Sequence, residues 1–123
     1  LIELLLSKNY DVFGIVTQRA TPNTVNIKHV LKDVQLIPAD LSDQASIKQA
    51  LTISRPDEIY NLGAQSFVKA SWDIPEHTAN INGLGVLRML EGIRQICPQA
   101  KFYQASTSEM FGKVQKIPQN EKT

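Results

Sequence analysis

Four short runs rich in β-branched and aromatic residues, at 12–16, 34–37, 58–62 and 101–105, are separated by stretches that carry helical spacing or helix-capping residues. Such runs predict short buried strands. Parallel strands in one sheet need a crossover between them, usually a helix. The alternation therefore predicts an α/β fold, a doubly wound parallel sheet with right-handed connections.

Residues 1–8 read as the later turns of a helix, 17–26 as a loop rich in Thr and Asn, and 27–31 as a short helical turn. Asp40, Ser42 and Asp43 offer capping side chains to a helix in which Ile47, Ala50 and Leu51 share a face and which ends before Pro56. Pro75 opens a long helix in which Ala79, Gly83, Val86, Leu87, Leu90, Ile93 and Cys97 recur on one face, and Pro98 ends it. Gly83 and Gly85 each cost this helix about 1 kcal/mol relative to Ala, so both are expected to permit a close neighbour. Trp72, where loop passes into helix, is expected to pack, and 112–123 reads as polar loop.

In the dinucleotide-binding strand order 3-2-1-4-5, the first strand lies between the second and the fourth. This chain opens inside what reads as the first helix. The expectation is one partial domain over 1–123, without its first strand and glycine-rich loop, whose four strands fall into two half-sheets.

Composition narrows the classes of function. The 123 residues suit one domain, and a net charge of +1 with acids and bases interspersed gives no nucleic-acid footprint. A single cysteine, Cys97, with only His29 and His77 beside it, makes no metal-ligand cluster. No apolar stretch reaches the roughly 20 residues of a membrane span, and no signal peptide is recognisable, so a cytoplasmic setting is expected.

Four places carry candidate chemistry. The segment 102–112 sets an apolar run against Ser106, Thr107, Ser108 and Glu109 at the strand's carboxyl end, where open parallel sheets bind their ligands. Read functionally, Thr107 donates a hydrogen bond to a substrate oxygen and Glu109 is a general acid or base; read structurally, Ser106 and Glu109 form a capping box. A capping box needs a helix to open, and Met110, Phe111 and Gly112 lead instead into polar residues. After the strand at 58–62, Leu62, Gly63, Ala64, Gln65 and Ser66 suit either a close backbone approach to a cofactor or an ordinary turn. Asp40 and Leu41 follow the second strand, where an adenine ring would rest; capping alone would also account for Asp40. Arg19 follows the first strand where an acid would hold the ribose hydroxyl of NAD, and an arginine accommodates the 2′-phosphate of NADP. A solvated loop arginine is the plainer alternative.

Taken together, the segments 60–66, 82–91 and 102–112, with the tail 113–121, resemble the GDP-mannose 4,6-dehydratase family of extended short-chain dehydrogenases/reductases. The resemblance implies a Rossmann-like domain binding NADP, and GDP-mannose as substrate. It implies an internal redox dehydration giving GDP-4-dehydro-6-deoxy-mannose and water. Thr107 matches the threonine that bonds the sugar C4 oxygen, and Glu109 the glutamate that handles the C5 proton. Asp40, Leu41 and residues 62–66 match cofactor contacts, and His77 stands where relatives carry a cofactor-contacting tyrosine. A homo-oligomer, dimer or tetramer, is implied for the full-length protein. With the glycine-rich loop and the Y-x-x-x-K pair outside this segment, the segment alone is expected to be inactive. A UDP-glucuronate decarboxylase, a sugar 4-epimerase or a non-catalytic nucleotide-binding domain is the alternative.

Overall fold

The computed structural model describes residues 1–17 and 24–123, so Arg19 lies outside the described residues. In chain order the elements are α1 (Ile2–Ser7), β1 (Val12–Val16), a 3-10 helix (Val25–Val30), β2 (Val34–Pro38), α2 (Gln44–Ser54) and β3 (Glu58–Asn61). They continue with α3 (Val68–Asp73), α4 (Pro75–Ala79), one π turn (Asn80–Leu84), α5 (Gly85–Ile96), β4 (Lys101–Gln104) and a closing 3-10 turn (Ser108–Phe111).

The strands pair in parallel as two two-stranded sheets, β1 with β2 and β3 with β4, in agreement with the expected half-sheets. Val12 lies opposite Val34, and Asn61 opposite Gln104. One further backbone bond extends each ladder at its carboxyl end, from Ala39 N–H to the Val16 carbonyl and from Ala105 N–H to the Asn61 carbonyl.

Helix α2 ties the sheets together. Asp43 caps it, accepting from the backbone N–H groups of Ala45 and Ser46, so the capping role offered to Asp40 belongs to Asp43. Ala50 packs with Ile37, Ala39 and Phe13 over the first sheet. Ile47 and Leu51 pack with Ile93 of α5 and with Ile59 and Phe102 of the second sheet. A second link is polar: the Tyr10 hydroxyl donates to Glu58, which also accepts from Tyr60.

Three expectations need correction. The long helix from Pro75 is interrupted by the π turn, and within α5 the apolar face follows Met89, Ile93 and Ile96, leaving Leu87 and Leu90 exposed. The widened turn shifts the angular phase of everything before it relative to α5, so a single 3.6-residue face could not run through both. Trp72 does not pack: it is 82% exposed on α3, a six-residue helix that buries none of its residues. Residues 108–111 form one helical turn where no helix was expected to open; its cap is Thr107, whose hydroxyl accepts from Glu109 N–H at 3.2 Å, and Ser106 and Glu109 form no capping box.

Candidate functional site

Three loops leave the carboxyl ends of β2, β3 and β4, the end at which parallel sheets bind ligands. Each is shaped by its own short-range chemistry.

The first loop holds Asp40 and Leu41. Asp40 Oδ1 accepts from both the backbone N–H and the hydroxyl of Ser42, at 2.8 and 2.6 Å. Those two bonds hold its carboxyl below the ordinary value; partial burial opposes them, and the nearby His77 adds a smaller favourable effect. His77 lines an open cleft of about 810 Å³ with Ile74, Pro75 and Asn80.

Leu41 lies between two glycines. A Cβ on Gly63 would sit 3.0 Å from Leu41 Cδ1, and one on Gly85 would sit 3.0 Å from Leu41 Cβ and 3.3 Å from its carbonyl oxygen. At Gly85 a side chain would press on the Leu41 backbone, whereas at Gly63 it would press on the tip of the Leu41 side chain. Gly83, expected to serve the same purpose, has nothing within 4 Å of a built Cβ. The side chain of Leu41 joins the core around Ile47 and Ile93, so its backbone is what a ligand would meet.

The second loop, 62–66, starts from Asn61, a buried polar side chain that is 6% exposed. Its Nδ2 donates to Gln104 Oε1 at 2.8 Å, and its Oδ1 accepts from Gly63 N–H at 3.2 Å. The two amides join the carboxyl ends of β3 and β4, so the second and third loops diverge from a single fixed point. Leu62, Gly63, Ala64 and Ser66 are exposed. Gln65 is turned into the protein: its Nε2 donates to the Phe67 carbonyl and its Oε1 accepts from Thr78.

The third loop carries Thr107 and Glu109, both exposed. Ser106 before them takes a positive φ of 59°, which reverses the chain as it leaves the strand. The Thr107 hydroxyl, already accepting from Glu109 N–H, retains its own hydrogen as a donor. One exposed donor and one exposed carboxylate therefore share a single turn at the end of β4.

Four residues of this architecture escaped the reading of the sequence. Asn61 and Gln104 had a signal, since each places a buried-strand position under an amide. Asn82 and Arg88 had little beyond their neighbouring glycines. Asn82 pairs with the Gln65 backbone, and Arg88 Nη1 donates to the carbonyls of Leu41 and Asn80 at 3.0 and 3.1 Å.

Gly63 and Gly85 both abut Leu41, so the first loop, the second loop and the start of α5 pack closely together. Among the described residues, no three His, Cys, Asp or Glu side chains converge as metal ligands, and no helix is long and apolar enough to cross a membrane.

Comparison with known proteins follows the same lines. The GDP-mannose 4,6 dehydratase family model matches residues 1–123. The chain is 46% identical to the GDP-mannose 4,6 dehydratase of Cricetulus griseus, covering all of this chain and 36% of that protein. It is 45% identical to the GDP-mannose 4,6-dehydratase of Vibrio cholerae serotype O1, again over the whole chain and 35% of the relative. The chain thus spans about a third of the length of these relatives. Among solved structures, an epimerase of Methanothermobacter thermautotrophicus superposes with a TM-score of 0.79 at 25% identity, over 98% of this chain and 35% of that one. The UDP-glucose 4-epimerase of Thermus thermophilus, solved with NAD, gives 0.66 at 32% identity over 77% of this chain and 29% of its own.

Proposed function

The chain belongs to the GDP-mannose 4,6-dehydratase family, and on that basis we propose that it forms the cofactor-binding region, with part of the catalytic set, of an NADP-dependent lyase converting GDP-mannose to GDP-4-dehydro-6-deoxy-mannose and water. The observation that carries the reading is the joint delivery of an exposed Thr hydroxyl and an exposed Glu carboxylate at the end of β4, beside a loop whose backbone is open to a dinucleotide.

In this reading Asp40 and the Leu41 backbone hold the adenine end. Both Ser42 bonds fall on Asp40 Oδ1, so Oδ2 is placed to accept from an exocyclic amine. Residues 62–66 present backbone to the rest of the dinucleotide, and His77 meets it from the cleft it lines with Asn80 and Leu84. Arg19 meets the 2′-phosphate. Bound NADP would supply acceptance of a hydride from the sugar C4 and its return at C6; the C4 hydroxyl proton leaves to a general base in the first step, and C5 takes a proton back in the last.

Thr107 Oγ1 donates to the C4 oxygen and orients the sugar. Glu109 then takes the C5 proton, which the C4 ketone has made acidic, and passes a proton to the hydroxyl leaving C6. One carboxylate serves both transfers because C5 and C6 are adjacent.

The decarboxylase and epimerase alternatives are not favoured: the dehydratase relatives match the whole chain at about 45%, the Thermus epimerase only 77% of it at 32%. Incubating the full-length protein with NADP and either GDP-mannose or UDP-sugars tests the reading. A 4-keto-6-deoxy product from GDP-mannose alone is expected; turnover of a UDP-sugar with GDP-mannose inert would overturn it.

A further inference from the structure

The π turn between α4 and α5 stands between the first two loops. On one side Arg88 Nη2 donates to Asn80 Oδ1 at 2.8 Å, while its Nη1 bridges the carbonyls of Asn80 and Leu41. The Asn80 carbonyl also accepts from Gly85 N–H, the i to i+5 bond that widens the turn. The guanidinium therefore joins the widened turn to the Leu41 loop.

Asn82, two residues on, projects to roughly the opposite side of the helix. Its Oδ1 accepts from Gln65 N–H at 2.8 Å, and its Nδ2 donates to the Gln65 carbonyl at 2.9 Å. Both backbone groups of one loop residue are paired with one side-chain amide, as a neighbouring strand would pair them. The Gln65 side chain is held as well, by Phe67 and Thr78. Gln65 is thus fixed at both ends, and the exposed Gly63, Ala64 and Ser66 are fixed through it.

From this arrangement we propose that Asn82 is a positioning residue for cofactor binding: set by the π turn, it holds the backbone of 62–66 in register with the Leu41 loop before the dinucleotide arrives. The proposal rests on the reading of these two loops as the cofactor site. Asn82 need not touch the cofactor. Its contribution is to order, in the free protein, a loop that binding would otherwise have to order.

The test uses the full-length protein with Asn82→Ala and the isosteric Asn82→Asp, which keeps the acceptor for Gln65 N–H but turns a carboxylate oxygen toward the Gln65 carbonyl. Loss of two net hydrogen bonds of ordinary strength is expected to weaken NADP binding on the order of tenfold or more, with kcat at saturating NADP close to wild type. Hydrogen exchange of the Gln65 amide should accelerate in Asn82→Ala while amides of β1 and β2 do not change. If Asn82→Ala does not fold, Asn82→Asp is read for NADP affinity against kcat in the same way. Unchanged NADP affinity in the folded variant overturns the proposal, as does unchanged Gln65 exchange in Asn82→Ala. A wild-type protein that binds no nicotinamide dinucleotide overturns the functional reading instead, and a titration of the wild type alone shows it.

Discussion

The side-chain amides of Asn61 and Gln104 meet at 2.8 Å across the carboxyl end of the β3–β4 pair, at positions that face each other in the strand register. Asn61 also receives Gly63 N–H, so one buried side chain fixes the departure of two loops. Asn61→Leu would leave the Gln104 amide and the Gly63 N–H without this partner. A loss of about 1–3 kcal/mol is expected from stranding such groups, read as a lower Tm together with weaker NADP binding. Asn61→Asp should be milder, because Gln104 can rotate its amide to donate to the carboxylate.

Two glycines two residues apart in the chain should respond oppositely to alanine. At Gly83 a Cβ meets nothing, so Gly83→Ala gains helix propensity and raises stability by up to about 1 kcal/mol. At Gly85 the same gain is opposed by a Cβ 3.0 Å from Leu41 Cβ and 3.3 Å from its carbonyl, and Arg88 holds that carbonyl in place. Overpacking of about 1–3 kcal/mol exceeds the propensity gain. Gly85→Ala should therefore lower Tm and NADP affinity, and paired thermal melts of the two variants check the opposite signs.

What could be read in the sequence was what local chemistry determines. The strand runs at 12–16 and 101–105 are β-branched or aromatic, the Asp43 cap precedes a helix with its apolar residues three and four apart, and the parallel pairing follows from their alternation. The π turn was not legible, because what stabilises it lies elsewhere: Arg88 reaches back to Asn80 and Leu41, and Asn82 across to Gln65. Helix α3 failed for a similar reason. Trp72 in residues 68–73 suggested packing, yet the helix exposes it together with Val68. At the third loop the sequence set a functional Thr107 and Glu109 against a capping box of Ser106 and Glu109; the cap is instead Thr107, which the S-x-x-E pattern does not single out.

Removing the Ser42 hydroxyl tests the electrostatics of the first loop. The largest effect lowering the Asp40 carboxyl below its ordinary value near 3.8 is the Ser42 hydroxyl, followed by the Ser42 N–H. A carboxyl depressed in the folded state stabilises it above the unfolded value, and that stabilisation is lost as pH falls through the depressed folded value. Ser42→Ala should move the Asp40 titration upward toward the ordinary value, with the N–H bond retained. The wild type should then lose its advantage over the variant only below about pH 4. An NMR titration of Asp40 together with melts at acidic and neutral pH measures both.

At the third loop, structure and chemistry separate by substitution. Glu109 is exposed, and its bond to Thr107 runs through the backbone N–H, so Glu109→Gln should leave Tm unchanged while removing the proton acceptor. For a residue acting as general base, a fall in kcat of roughly 10²–10⁴-fold is expected. Thr107→Val loses both the cap, worth about 1 kcal/mol, and the donor to the sugar oxygen. Thr107→Ser keeps both, because the hydroxyl that accepts from Glu109 N–H is retained. Activity restored by Ser and absent with Val, alongside a small Tm change for Val, is the pattern of a donor that also caps. Equal activity of the Val and Ser variants in the full-length protein would show that Thr107 caps the turn and does nothing to the substrate.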